Sequence, residues 1–260
     1  MQSVSRTTYD QMGFEVIVPR NPRIISLVPS QTELLFDLGL DDQITGVTKF
    51  CIHPADRVKQ KPIIGGTKKF RFDVIDELRP DLIIGNKEEN YQEGITQLKS
   101  RYPVWMSDIV SLREATEMIR SIGNITDVEA KANQLADDIL GSFENIKRHD
   151  SKRTLYFIWQ NPYMVAGNGT FINEMLQRIG LINAAVHLER YPELRISQIG
   201  ELDPELILLS SEPYPFKEKH IETFMDLCPN ANVQVVDGEM FSWYGSRLLG
   251  AVDYFNSLKL

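Results

Sequence analysis

The chain has 260 residues, 42% hydrophobic and 25% charged, a composition that can bury a full core without disulfides or structural metal. Its 28 basic and 36 acidic residues leave a formal net charge of −8, which argues against a nucleic-acid binder, since phosphate backbones are held by clustered Lys and Arg. No apolar run approaches the roughly 20 residues a membrane-spanning helix needs; 206–209 is about the densest.

The first ten residues carry a positive charge but no apolar stretch, so they do not read as a secretory signal. Either a signal was removed and a Met added, or the protein stays in the cytoplasm. From there the chain alternates short apolar runs with helical patterns, the signature of an α/β fold with parallel sheets. Strands are predicted over 23–28, 44–49, 81–85 and 103–107. A helix follows Pro29, with Ser30 or Thr32 as its cap and Gly39 at its end, and others lie around 73–78, 91–101 and 112–122. A second set contains strands at 154–159, 206–210 and 233–237, with helices near 171–179, 219–227 and 246–258. The two cysteines, Cys51 and Cys228, make no disulfide framework and read as ordinary buried thiols.

Between the two sets, Val128, Ala132, Leu135, Ile139, Phe143 and Ile146 form an amphipathic stripe with spacings of 4, 3, 4, 4 and 3. Thr126 followed by Glu129 reads as a capping box. A helix over 126–149 would be about 35 Å long. It is either a long core helix or a rigid strut between two α/β lobes. No Gly/Ser/Pro-rich linker offers another connection.

Ligands of open parallel sheets bind beyond the carboxyl ends of the strands, so the loops after each strand hold the candidate site. They contain Phe50, the run Asn86-Lys87-Glu88-Glu89, Trp159 and Tyr163, Tyr214, and Trp243-Tyr244 with Arg247. Loop aromatics mixed with amides and charges suit a large, flat, amphipathic ligand; the plainer alternative is that they cover the ends of a sheet. Signs of catalysis are thin. Gly65-Gly66-Thr67-Lys68-Lys69 lacks phosphate-loop spacing, and Gly167-Asn168-Gly169-Thr170 reads as a turn with a helix cap. The four histidines show no metal spacing, Cys51-Ile52-His53 is a weak metal signal, and no nucleophile elbow occurs. Neither a catalytic residue nor a metal site of the protein's own is expected.

The segment Pro22-Arg23-Ile24-Ile25-Ser26-Leu27-Val28-Pro29-Ser30-Gln31-Thr32-Glu33-Leu34 resembles the first strand and helix of the class III periplasmic binding proteins. These are the receptors for vitamin B12, haem and ferric siderophores in ABC import systems. Met12-Gly13-Phe14-Glu15-Val16 with Pro19 looks like the small N-terminal hairpin of many members. Leu78-Arg79-Pro80-Asp81-Leu82-Ile83-Ile84 resembles the family's "KPDLVI" strand, and Leu202-Asp203-Pro204-Glu205-Leu206-Ile207 its second-lobe counterpart. The resemblance covers about residues 10–260.

It implies two Rossmann-like lobes with parallel sheets, 20–123 and 152–260, preceded by an extension over 1–19 and joined by one long backbone helix within 124–151. It also implies a monomeric, non-enzymatic binding protein holding a metal chelate, such as a corrinoid, in a cleft between the lobes. No cofactor of its own is implied. Within the family the vitamin B12 branch looks closest. Ser30, Phe50, Tyr191 and Trp243 fall at cleft-lining positions, while Thr67 and Asn86 stand where that branch has tryptophans and Trp243 where it has an arginine. The expected ligand contacts are Ser30, Phe50, Thr67, Lys68, Asn86, Lys87, Glu88, Trp159, Tyr163, Tyr191, Tyr214, Trp243, Tyr244 and Arg247. For Arg247, pairing with a carboxylate is the plainer alternative. Docking to an ABC permease is implied through Asp73 and, because Ser197 occupies the second acidic position, through Glu193 and Glu201 nearby. The family resemblance favours an extracytoplasmic location. A cytoplasmic chelate carrier or sensor, or an enzyme reusing the fold, is the competing class.

Overall fold

Every apolar run singled out above forms a strand in the computed structural model, which describes residues 5–260. The first four residues of the expected N-terminal extension lie outside the described residues. The rest of it is an antiparallel hairpin of β1 (Ser5–Tyr9) and β2 (Glu15–Pro19). Trp105, fully buried, donates its indole N–H to the Tyr9 carbonyl at 3.2 Å and so ties the hairpin down.

Next come β3 (Ile24–Ser26), α1 (Pro29–Asp37), β4 (Ile44–Val47), α2 (Ala55–Val58), β5 (Gly65–Gly66) and β6 (Lys69–Phe70). They are followed by α3 (Phe72–Leu78), β7 (Leu82–Asn86), α4 (Gln92–Lys99) and β8 (Val104–Ser107). The sheet runs β4-β3-β7-β8 with every pair parallel. Parallel neighbours need a crossover, and the intervening helices supply it. The core beneath is mostly aliphatic, with Ile25, Leu27, Ile64, Ile75, Ile83 and Leu98 in one cluster. Helix α1 starts on Pro29, whose missing N–H costs nothing in a first turn. Neither Ser30 nor Thr32 caps it. The Thr32 hydroxyl instead bonds back to the Val28 carbonyl at 2.9 Å and to Ser26 Oγ at 2.7 Å.

The helix expected over 126–149 is shorter, and it is one of a pair: α5 (Leu112–Ile125) and α6 (Glu129–Phe143). Asp127 adopts a left-handed φ of 63°, and the Val128 N–H reaches the Gly123 carbonyl at 2.9 Å, a Schellman ending that stops α5. Thr126 therefore belongs to the helix before it, donating to the Ile122 carbonyl at 2.6 Å, and no capping box forms. A Cβ on Gly123 would lie 2.1 Å from that of Ala132, so only glycine allows the two helices to approach this closely. Beyond Phe143 the chain turns through i to i−3 bonds at Glu144 and Asn145, leaving α6 about 22 Å long.

The remaining elements are β9 (Arg153–Trp159), β10 (Tyr163–Val165), α7 (Phe171–Arg178), β11 (Ile182–Asn183), β12 (Glu193–Leu194) and α8 (Ile196–Glu201). After them come β13 (Leu206–Ser210), α9 (Ile221–Leu227), β14 (Asn232–Val236), α10 (Gly238–Ser242) and α11 (Leu248–Ser257). Their sheet runs β12-β10-β9-β13-β14, with β11 beside β9. Strands β11, β9, β13 and β14 are parallel, but β10 and β12 run antiparallel, so this sheet is mixed rather than parallel throughout. Three residues separate β9 from β10, enough for a hairpin and too few for a crossover. The chain thus forms two compact units. One contains residues up to Asp108, Arg113–Leu140 and Tyr244–Arg247; the other contains Ile109–Leu112, Gly141–Trp243 and Leu248–Leu260.

Candidate functional site

In the first unit, β4 ends just before Thr48-Lys49-Phe50. The Lys49 N–H bonds to the Gly65 carbonyl at 2.8 Å, which sets the β5–β6 turn alongside. Gly65 has φ 111°, and a Cβ there would lie 2.3 Å from the Lys69 carbonyl, so these glycines build a tight hairpin and not a phosphate loop. The Phe50 ring rests against Gly66: a Cβ on Gly66 would meet it at 3.1 Å. With 49% exposure the ring keeps a free face, and Lys49 Nζ lies 4.9 Å from its centroid.

The Thr67-Lys68 turn of that hairpin meets the loop after β7. Lys68 donates to the Glu88 carbonyl at 2.6 Å. Burial pushes the Glu89 carboxyl up from the ordinary glutamate value, and the Lys68 ammonium opposes the shift. Yet the Glu89 side chain is open to solvent. Sequence reasoning had singled out Glu88 for ligand contact; Glu89 has the more exposed side chain. Lys87, the other expected cation, is paired with Asp108 at 2.5 Å.

In the second unit the carboxyl end of β9 carries Trp159, 37% exposed, with Tyr214 edge-on at 5.4 Å between centroids. The Trp159 indole N–H is held by the Asn161 carbonyl at 3.0 Å, and the Tyr214 hydroxyl donates to Gln160 Oε1 at 2.8 Å. Tyr214 in turn packs on Phe216 at 4.6 Å, and Phe216 on Phe224 at 5.7 Å. The platform is therefore rooted in the core. Tyr191, just before β12, is half-buried.

Several expected contacts are buried or already engaged within the protein. Tyr163 sits in β10, not in a loop, and its ring packs into the core against Phe224 at 5.6 Å and Phe157 at 6.1 Å. Trp243 is 6% exposed, with its indole N–H on Glu212 Oε1 at 2.8 Å, and Tyr244 is buried as well. Ser30, Thr67 and Asn86 are buried too. Arg247 makes a two-pronged ion pair with Glu33, Nε to Oε2 at 2.9 Å and Nη2 to Oε1 at 2.6 Å, the carboxylate pairing named as its plainer alternative. Burial nonetheless raises the Glu33 carboxyl above its usual value, with Arg247 opposing.

The carboxylates expected to meet a permease, Asp73 on α3, Glu193 on β12 and Glu201 at the end of α8, are all exposed; Arg71 lies 3.6 Å from Asp73. Thr170 caps α7 by accepting from the Asn173 N–H at 3.1 Å, which makes 167–170 a capped turn as read from the sequence. Among the described residues, no group of three or more His, Cys, Asp or Glu side chains could hold a metal ion, and no helix is long and apolar enough to cross a membrane. Cys51 and Cys228 are buried and free, and burial raises both thiols. Two open depressions, one lined by Asp203, Leu227 and Cys228 and the other by Phe14, Ile17, Lys99 and Tyr102, contain none of the expected ligand contacts.

An uncharacterised ABC transporter substrate-binding lipoprotein of Bacillus subtilis strain 168, YvrC, is 26% identical over 265 residues, 95% of this chain and 83% of that protein. The vitamin B12-binding protein of Salmonella paratyphi A is 24% identical over 197 residues, 74% of this chain and 73% of that protein. The crystal structure of the periplasmic haem-binding protein HutB of Vibrio cholerae shares the fold, with a TM-score of 0.75, 21% identity, and coverage of 91% of this chain and 98% of that one. The family model described as "Periplasmic binding protein" matches residues 24–226, most of both sheets and the helices around them, and the chain belongs to that family of binding proteins.

Proposed function

We propose that this protein is the substrate-binding component of an ABC import system and that its cargo is a large metal chelate, a corrinoid, haem or ferric siderophore. The observation carrying this reading is the pair of exposed aromatic platforms, Phe50 on Gly66 and Trp159 against Tyr214, each following a parallel strand at its carboxyl end. Apolar faces with Lys49 over Phe50 in one unit and Gln160 bonded to Tyr214 in the other suit a planar amphipathic molecule that brings its own metal. The lobes 20–123 and 152–260 and the connection within 124–151 are proposed as the resemblance implies. Vitamin B12 in the name of the Salmonella relative favours a corrinoid.

Delivery to a permease is proposed through Asp73, Glu193 and Glu201, and the lipoprotein relative supports an extracytoplasmic site of action. The protein is proposed to act by binding and release, with no chemical step. Calorimetric titration with cyanocobalamin, cobinamide, haemin and ferric siderophores tests the reading. One of these is expected to bind at one molecule per chain and to quench Trp159. Trp243, already bonded to Glu212, is expected to respond little. Absence of binding by all four classes, together with turnover of a small substrate, overturns the proposal.

A further inference from the structure

The loop over 86–90 is held by side chains beneath it. Asn86 is 1% exposed and fully engaged. Its Nδ2 donates to Ser107 Oγ at 2.9 Å and to the Ser107 carbonyl at 3.3 Å. Its Oδ1 accepts from the N–H groups of Glu88 at 2.8 Å and Glu89 at 3.2 Å, an Asx turn. Asn90 closes the other side, accepting from the Asn86 N–H at 2.9 Å and donating to the Thr67 carbonyl at 3.2 Å. Beneath both, Gln31 of α1 donates to Ser107 Oγ at 2.6 Å.

The bonds of the two asparagines lead to Ser107, at the end of the neighbouring β8, and outward to two backbone segments that carry exposed side chains. One is the 67–68 turn, whose Lys68 reaches the Glu88 carbonyl; the other is the backbone that carries Glu89. Asn86 itself is too deep to touch a ligand. The Asn86 side chain is satisfied at both its donor and its acceptor end, and removing it leaves buried Ser107 and loop groups without those partners, which makes it costly to lose.

We propose that Asn86 and Asn90 are positioning residues that lock the 67–68 turn and the 87–89 segment into one preformed surface, on which Lys68 and Glu89 face a ligand whose polar rim carries hydrogen-bond donors as well as acceptors. This rests on the binding function proposed above.

The test compares wild type with Asn86→Ala, Asn86→Ser and Asn90→Ala in the full chain. Serine at position 86 keeps a weaker acceptor for the turn and serves as the conservative rescue. Amide exchange of Glu88 and Glu89, measured by NMR without ligand, is expected to speed at least tenfold in Asn86→Ala and to recover in part in Asn86→Ser. Affinity for whichever of cyanocobalamin, cobinamide, haemin or ferric siderophore binds the wild type is expected to fall about tenfold and to recover in the same order. Unchanged exchange in both alanine variants overturns the proposal, as does faster exchange with unchanged affinity. If none of the probes binds wild type, the proposed function fails, and the exchange rates alone decide whether the asparagines order the loop.

Discussion

The two units hold their exposed strand ends by opposite means. In the first, an aliphatic core under a parallel sheet ends in small polar joints: Phe50 lies on a glycine, and the Asn86 network fixes the neighbouring loop. In the second, aromatic rings run from the core to the surface through Phe157, Phe224, Phe216, Tyr214 and Trp159, at centroid distances of 4.7, 5.7, 4.6 and 5.4 Å along the path. Edge-on ring pairs each add about 0.5–1.5 kcal/mol beyond their buried area and leave few polar groups to satisfy. At these strand ends the first unit relies on side-chain hydrogen bonds, the second on ring packing.

Removing a ring should therefore cost the most. Phe224 is fully buried and touches Phe157, Tyr163 and Phe216, so Phe224→Ala is expected to lower stability by about 3–5 kcal/mol and to blunt the fluorescence response of Trp159. Urea unfolding followed by fluorescence and circular dichroism checks this.

Arg247→Met in the first unit is expected to cost about 2 kcal/mol at neutral pH, less than a fully buried pair because both partners keep some solvent contact, 15% and 16% of the side chain. The pH dependence has a definite sign. A carboxyl raised by folding, as Glu33 is, contributes stability at low pH that is lost as the pH rises through its folded pKa. Without Arg247 that pKa rises further. The destabilisation should be largest at neutral pH and shrink as the pH falls through the raised range in which Glu33 takes up a proton, above the ordinary glutamate value. A constant difference across that range would contradict this.

Ser107→Ala removes the acceptor shared by Gln31 and Asn86, and a loss of about 1–2 kcal/mol is expected in the same unfolding assay. Phe50→Ala should change stability by no more than about 0.5 kcal/mol, since half of that ring is already in water.

The same contrast explains what could be read from the sequence. The central strands were legible because short apolar runs between turn-forming or polar residues fit little else: 23–28, 81–85 and 206–210 each overlap an observed strand. Strands β10, β11 and β12 were missed, since two or three residues carry no periodicity. The stripe through Ile146 outran α6 because an apolar residue can stay half-buried after its helix has ended. Thr126 and Glu129 have capping-box spacing, but the left-handed turn at Asp127 assigns the threonine to the preceding helix. At the site, residue types were legible and directions were not. Asn86, Tyr163 and Trp243 stand near strand ends, yet each points into protein because a partner waits there: Ser107, Phe224 and Glu212. Phe50, Trp159 and Tyr214 differ in that glycine or another ring supports one face and leaves part of the surface open.

Calorimetric titration of wild type, Phe50→Ala and Trp159→Ala with cyanocobalamin, haemin and a ferric siderophore tests most directly whether the two platforms hold a chelate. We expect one of the three to bind wild type at one molecule per chain. We further expect each substitution to weaken binding at least tenfold, with Phe50→Ala leaving the unfolding midpoint in place and Trp159→Ala lowering it only by the loss of its pair with Tyr214. A wild-type protein that binds none of them, or two variants that bind as tightly as wild type, would contradict the assignment of these rings to the ligand.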